Sequence, residues 1–322
     1  MPPERRQAGR GPAKMSRVEE ARSQFEEHGW VLVPSLVPAS DVAAAQAQLF
    51  RIYPTPAEVA SGQRTERTAP FMAGPGDDEG RRFRGRQFVG LRDAPTGDPA
   101  LDNLALHHRI LDLVEALLGT ADVRLYQAET FAKYTGTSNY EQPLHIDETN
   151  HTLLPPRRDG RYRQVQLFLY LSDVTEARGA TRVVSQRLTA SIPHSQLVFD
   201  RAGRTVLDEH EVAAVGPAGT VLAYAADTVH RGSDMTEPGA GRFFFNLAFR
   251  PAGADWIGAL PWPRRGIEPA MAAWIQTLDP RQLTALGFPP PGHDYWDADT
   301  LTAAADRYPN LDLSAWRSAI SG

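Results

Sequence analysis

His145, Ile146 and Asp147 form an H-x-D unit inside a segment predicted as a strand over 143–149. Side chains two apart in a strand point to the same face, with Cα atoms about 6.6 Å apart, so one metal ion is within reach of both. A third ligand is required, and His230, 85 residues further on (230 − 145), follows the apolar run Thr220 to Ala226. Two histidines and one carboxylate on one side of a metal leave its other positions open, the arrangement of non-haem Fe(II) oxygenases. A lone H-x-D recurs by chance, so the assignment rests on its partners.

Arg242 adds to that set. It opens the run Phe243-Phe244-Phe245-Asn246-Leu247-Ala248-Phe249, twelve residues after His230 (242 − 230). A strand apolar on both faces is buried, and an arginine there requires an anion. Its planar fork suits a two-pronged grip on a carboxylate, either an Asp or Glu of the chain or a bound small acid.

Composition narrows the chemistry. The 322 residues contain no cysteine, which excludes disulfides, iron–sulfur clusters, thiolate zinc sites and a cysteine nucleophile. Lys+Arg total 34 against 39 Asp+Glu, a net charge of −5, so a nucleic-acid partner is not expected. No apolar run reaches the roughly 18 residues that mark a membrane span. Arg5, Arg6, Arg10 and Lys14 lie in residues 1–16 with no apolar stretch after them. We therefore expect a disordered basic leader, no secretory signal and a cytoplasmic protein.

The elements that must position these side chains are mostly strands. Val18, Ala21 and Phe25 space an amphipathic helix over Ser16 to His28, stopped by Gly29 and followed by a short strand Trp30-Val31-Leu32-Val33. A second helix is predicted from Asp41 to about Tyr53, and a third over Leu101 to Leu118 with Leu104, Leu111, Val114 and Leu118 on one stripe. Residues 54–99, rich in Gly, Pro, Arg and Asp, read as a long lid-like loop. After Gly119 short strands are predicted at 123–134, 143–149, 164–173, 180–185, 211–215, 219–226, 228–233 and 241–250. The fold class expected is mainly β, a double-stranded β-helix (jelly roll) with bracing N-terminal and C-terminal helices. A single domain over 17–322 is expected, its jelly-roll core at about 120–250. A packed tail over 251–322 would carry helices near 268–278 and 298–307.

Strand phase points to a cavity. Gln164, Gln166, Phe168 and Tyr170 alternate with Val165, Leu167, Leu169 and Leu171, so one face suits a cavity wall and the other suits helix packing. Gln127, Glu129, Phe131 and Lys133 also share a face, which lines the same cavity or a solvated edge. His151 is a candidate substrate contact, and Arg81, Arg82, Arg84 and Arg86 a candidate anion-binding patch balanced by Asp77, Asp78 and Glu79. His107 and His108 are read as helix-packing or exposed residues.

The sequence resembles the phytanoyl-CoA dioxygenase family of Fe(II)- and 2-oxoglutarate-dependent oxygenases from about Val18 to Arg250. The resemblance is carried by Phe25-Glu26-Glu27-His28-Gly29-Trp30, the H-x-D at 145–147, Gly179-Ala180-Thr181-Arg182, Ala218-Gly219-Thr220, His230 and Arg242. It implies that His145, Asp147 and His230 bind iron as the catalytic centre and that Arg242 binds the distal carboxylate of 2-oxoglutarate. Gln127, Thr181 and Ser233 are the further cosubstrate contacts it suggests. The implied reaction uses O2 to hydroxylate or otherwise oxidise a small organic molecule, in a tailoring step of specialised metabolism. Family members often continue the Gly-rich turn into Pro-Gly-Ser-His, whereas this chain reads Ser185-Gln186-Arg187. Two other readings stay open, because jelly rolls host many functions. A metal-dependent isomerase or hydrolase would not require Arg242 to grip a cosubstrate, and a non-catalytic binding protein would not consume 2-oxoglutarate.

Overall fold

Ser16 begins the first helix in the computed structural model, which describes residues 16–63, 65–66, 68, 89–136, 141–147, 151, 160–189, 207–254, 257–258 and 269–320. Its hydroxyl accepts from Glu19 N while the Glu19 carboxylate accepts from Ser16 N. Such a capping box satisfies two amides that the first helical turn leaves unpaired, and the cap is worth about 1 kcal/mol. The helix Arg17–His28 stops at Gly29, whose φ of 75° turns the chain directly into a strand. Of the expected leader over 1–16, residues 1–15 lie outside the described residues, as does the Arg81–Arg86 patch, while Ser16 belongs to the helix cap.

The strands among the described residues are, in chain order, β1 (Trp30–Val33), β2 (Val89–Asp93), β3 (Val123–Tyr134), β4 (Val165–Tyr170), β5 (Arg182–Val183), β6 (Val212–Ala213), β7 (Val221–Ala225), β8 (His230–Arg231) and β9 (Gly241–Pro251). Six form an antiparallel sheet of order β1-β7-β4-β9-β3-β2, and three a small antiparallel sheet of order β6-β5-β8. The architecture is thus mostly antiparallel sheet plus helices.

The alternation in β4 and β9 sets the two faces of the large sheet. Val165, Leu167 and Leu169 share an outer core with Phe243, Phe245, Leu247 and Phe249. Helices Arg17–His28, Ala39–Ile52, His108–Leu118 and Pro269–Ile275 cover it with Phe25, Leu49, Leu111 and Trp274. Each such side chain contributes roughly 1.5–3 kcal/mol by leaving water. On the inner face Phe131, Tyr170, Leu222, Tyr224 and Phe244 meet Val174, Ala180, Val183 and Ala214 from around the small sheet. The mixed face predicted for β4 is this inner face, and Gln127, Phe131 and Lys133 join it from β3. That strand is flanked by β9 and β2, so it is no edge. A bulge helps: Leu125 pairs with Phe249 and Gln127 with Ala248, leaving Tyr126 as an extra residue that also turns inward.

Several boundaries differ from expectation. The Leu101–Leu118 helix is two pieces, Pro99–Asp102 running into a tight turn over Asn103–Leu106, then His108–Leu118. His107 breaks it, taking an extended ψ of 133° so that its Nδ1 can accept from Arg109 N and cap the second piece. The 54–99 segment is not one loop, since Pro56–Ala60 is helical and β2 joins the edge of the large sheet. Strands expected at 180–185, 211–215 and 228–233 shrink to two residues each. The tail packs on the outer core through Met271, Trp274, Trp296 and Trp316. Its two expected helices, Pro269–Ile275 and Ala298–Arg307, are joined by Pro280–Leu286 and Ser314–Ile320, each too short for periodicity to reveal. Among the described residues no helix is long and apolar enough to cross a membrane.

Candidate metal centre

Among the described residues of the 143–149 segment, 143–147, the expected strand does not form. Among the described residues of that stretch only His145 pairs, in a single antiparallel bridge with His230 of β8. His145 N donates to His230 O at 3.0 Å and His230 N to His145 O at 2.9 Å. Pro143 has no N–H to extend the ladder, so the pairing stays isolated. Asp147 N donates to Ala226 O at 2.8 Å, which lays the next turn of chain against the end of β7. The three side chains therefore converge by a cross-chain bridge and a bend, not by strand alternation.

Their geometry is that of a ligand set. Asp147 Oδ1 lies 3.7 Å from His145 Nε2 and Asp147 Oδ2 lies 3.4 Å from His230 Nε2. The imidazole centroids are 4.4 Å apart, and one ligand atom from each residue falls within 4.8 Å of the other two. His145 Nδ1 is 2.8 Å from Pro143 O, and His230 Nδ1 is 2.9 Å from Thr228 O. A carbonyl only accepts, so each Nδ1 carries the proton and each Nε2 presents its lone pair to the centre. Burial, reinforced by the neighbouring His230 ring, pushes the His145 imidazole down to about 4, so it is neutral at pH 7. Burial opposes ionisation of Asp147, but the two imidazoles win and hold its carboxyl far below the usual range. Against burial, the same carboxylate raises His230. Adjacent ligands of an ion bound at about 2.1 Å lie about 3 Å apart, so the cluster fits a small divalent metal after a slight contraction. The donor set, two imidazoles and a carboxylate, suits iron.

Arg242 stands at the β9 end of the inner face, 5% exposed. Its NH1 donates to Gly179 O, its guanidinium lies 4.3 Å from the Phe244 ring centroid, and its Nε has no hydrogen-bond partner among the described residues. Among the described residues no carboxylate pairs with it, so the internal salt bridge that the sequence left open is not formed there. Burial pushes it down to about 10, still charged at neutral pH.

Of the other predicted contacts, Ser233 lies at this cationic end. Its hydroxyl donates to Ala180 O at 2.6 Å and its carbonyl accepts from Lys133 Nζ at 2.6 Å. Gly179 permits the approach, since a Cβ there would sit 2.8 Å from Ser233 O. Thr181 is buried beside Ala180, and its carbonyl accepts from Ala214 N. Gln127 is at the other end of the face, in the cross-strand row Gln127–Ala248–Gln166–Tyr224, and its Oε1 is unpartnered among the described residues. His151 packs edge-on to Tyr126 with centroids 5.8 Å apart. Burial pushes its imidazole down, against the pull of the Asp147 charge.

Two residues beside the site escaped the sequence reading. Lys133 is 1% exposed and pairs across strands with Arg242. Its place on the Gln127–Glu129–Phe131 face was visible, but not its burial. Tyr224 donates its phenol proton to Asp147 Oδ2 at 2.9 Å. It lay hidden in an apolar run where any aromatic reads as core.

Comparison with known proteins agrees with this geometry. The sequence profile of the phytanoyl-CoA dioxygenase (PhyH) family matches residues 25–239, about two thirds of the chain, and spans all three candidate ligands. No curated protein sequence matches. Among solved structures, the epimerase SnoN from nogalamycin biosynthesis, in complex with Fe3+, α-ketoglutarate and nogalamycin RO, is 21% identical with a TM-score of 0.54, covering 76% of this chain and 90% of that one. EctD from S. alaskensis with bound Fe is 19% identical, TM-score 0.54, covering 80% and 85%. AviO1 from Streptomyces viridochromogenes Tue57 is 18% identical, TM-score 0.53, covering 75% and 98%. At these identities the structures share a fold with the chain, while the profile match reaches further: the chain belongs to the phytanoyl-CoA dioxygenase family of Fe(II)- and 2-oxoglutarate-dependent oxygenases.

Proposed function

We propose that this oxygenase is a single double-stranded β-helix domain that hydroxylates, or otherwise oxidises, a small organic molecule, with His145, Asp147 and His230 holding Fe(II). The observation that carries the reading is the pairing of that cluster with a buried arginine at the far end of the same face. When bound, Fe(II) with 2-oxoglutarate and O2 supplies the oxidation, in which the 2-oxo acid becomes succinate and CO2 and the second oxygen atom goes to the substrate. The protein's part is to bind, orient and exclude water. His145 and His230 offer Nε2 lone pairs fixed by their carbonyl-bound Nδ1 atoms, and Asp147 offers a charged oxygen. Arg242 takes the distal carboxylate of 2-oxoglutarate, and Lys133 beside it adds a second positive charge. Gln127 hydrogen-bonds the cosubstrate nearer the metal, and Ser233 and Thr181 shape its far end.

The row beyond the triad supports an oxygen-bearing substrate without formal charge. Gln166 Nε2 donates to Tyr126 Oη at 2.8 Å, and Tyr126 in turn donates to Gln164 Oε1. His151 Nδ1 lies buried beside this network without a partner among the described residues. Such side chains match hydroxyl and carbonyl groups, and the fold shared with the epimerase SnoN from nogalamycin biosynthesis supports a place in specialised metabolism. The test is an anaerobic titration of Fe(II) and 2-oxoglutarate, read by the visible metal-to-ligand charge-transfer band, followed by a screen of hydroxylated candidates for stimulated succinate release. A band that does not form in the wild-type protein would sink the reading.

A further inference from the structure

Tyr224 has no role in the ligand set, yet it touches it. The residue lies on the inner face of β7, 1% exposed, with its phenol oxygen 2.9 Å from Asp147 Oδ2 and its ring centroid 4.6 Å from that of His230. Asp147 itself sits on a bend, held by one backbone hydrogen bond to Ala226. That bond fixes where the backbone runs and leaves the rotation of the carboxylate to side-chain contacts.

The two oxygens of Asp147 are not equivalent. Oδ2 receives the Tyr224 proton and lies 3.4 Å from His230 Nε2, while Oδ1 accepts no such proton and is turned toward His145 Nε2 at 3.7 Å. A carboxylate can grip an ion with one oxygen or with both. An ion with six positions that takes one donor from each of three residues keeps three open, enough for a two-point 2-oxo acid and O2. A two-oxygen grip by the aspartate removes one of them. A hydrogen bond into one oxygen occupies it and sets the plane of the group. The phenol serves as the donor here, since a carboxylate oxygen only accepts.

We propose that Tyr224 is a positioning residue that fixes Asp147 as a one-oxygen ligand, keeping the third open metal position free. This rests on the iron-binding reading of His145, Asp147 and His230. Phenylalanine fills the same space and retains the ring packing against Phe168, whose centroid is 5.6 Å away, so Tyr224→Phe deletes only the hydrogen bond.

The experiment titrates Co(II) into apo wild type, Tyr224→Phe and His230→Ala, follows visible d–d absorption and heat, then adds 2-oxoglutarate, with apo melting temperatures in parallel. Tyr224→Phe is expected to melt with the wild type, bind Co(II) about 10- to 100-fold more weakly, show an altered Co(II) spectrum and bind 2-oxoglutarate less tightly. Wild-type affinity and spectrum in Tyr224→Phe would overturn the assignment and leave the metal centre standing. Weaker binding matched by a fall in melting temperature would make Tyr224 merely structural, and also overturn it. If wild type takes up no Co(II), or His230→Ala takes it up equally well, the metal reading fails and the assignment with it.

Discussion

Lys133 and Arg242 stand opposite one another on β3 and β9 with both charged side chains buried on the inner face. Like charges held together in a low-dielectric interior repel, and an anion seated beside them is stabilised by both. A charge-assisted contact of this kind is worth roughly 1.5–3 kcal/mol. Arg242→Ala should therefore raise the 2-oxoglutarate dissociation constant about 10- to 150-fold. Calorimetric titration of the metal-loaded protein checks this, and unchanged affinity would leave Arg242 as a packing residue held by Gly179.

Lys133 sets a pH dependence. Burial, then the charge of Arg242, pulls its ammonium down to about 7 against the opposing pull of Asp234 and Glu141. A bound carboxylate favours the charged form, so above pH 7 binding must take up a proton. Affinity for 2-oxoglutarate should fall as pH rises above about 7 in the wild type, and the fall should flatten in Lys133→Met. Stability moves the other way. Between about 7 and the ordinary lysine value of 10.5 the unfolded chain holds a proton that the folded chain does not, so unfolding free energy rises with pH through that window. Dissociation constants and denaturant midpoints from pH 6 to 9 test both.

His230→Ala should abolish iron-dependent turnover without unfolding the protein. The bridge between residues 145 and 230 is made by backbone atoms and survives the truncation. Circular dichroism should be unchanged while metal content after dialysis drops to background. Retained iron would remove His230 from the ligand set.

Leu111→Ala tests the opposite compartment. Leu111 is fully buried in the outer core, and its truncation should cost about 2–5 kcal/mol of stability. Metal affinity should stay at the wild-type value, since none of the candidate ligands His145, Asp147 and His230 belongs to that core. Urea midpoints and Co(II) titration of the variant measure the two effects separately.

Much of this was legible in the sequence where periodicity and side-chain chemistry coincide. The Arg17–His28 helix, β3, β4 and β9 follow from spacing, because each is long enough for one face to be read as buried. His145, Asp147 and His230 were legible as types, although the strand invoked to join them does not form. Convergence depended on a backbone bridge between distant segments, and no local pattern encodes that. His107 broke a helix for a similar reason: a cap is a property of one side chain's hydrogen bond, invisible to a hydrophobic stripe. Tyr224 was unreadable as a site residue because burial and orientation decide its role, whereas Lys133 was placed on a face that lined either the cavity or a solvated edge, and only its burial decides between them.

The reciprocal hydrogen bonds between His145 and His230 carry a consequence for metal supply. Folding alone lays two candidate ligands side by side from segments 85 residues apart (230 − 145), so an ion's binding energy is not consumed in ordering the chain there. Two imidazoles and a carboxylate do not by themselves favour iron, because the affinities of such donors for divalent first-row metals rise from manganese through iron to copper. Correct loading is then a matter of which ion the cell makes available during and after synthesis. Purified protein should arrive as a mixture of metal forms, and its specific activity should track iron content rather than total bound metal.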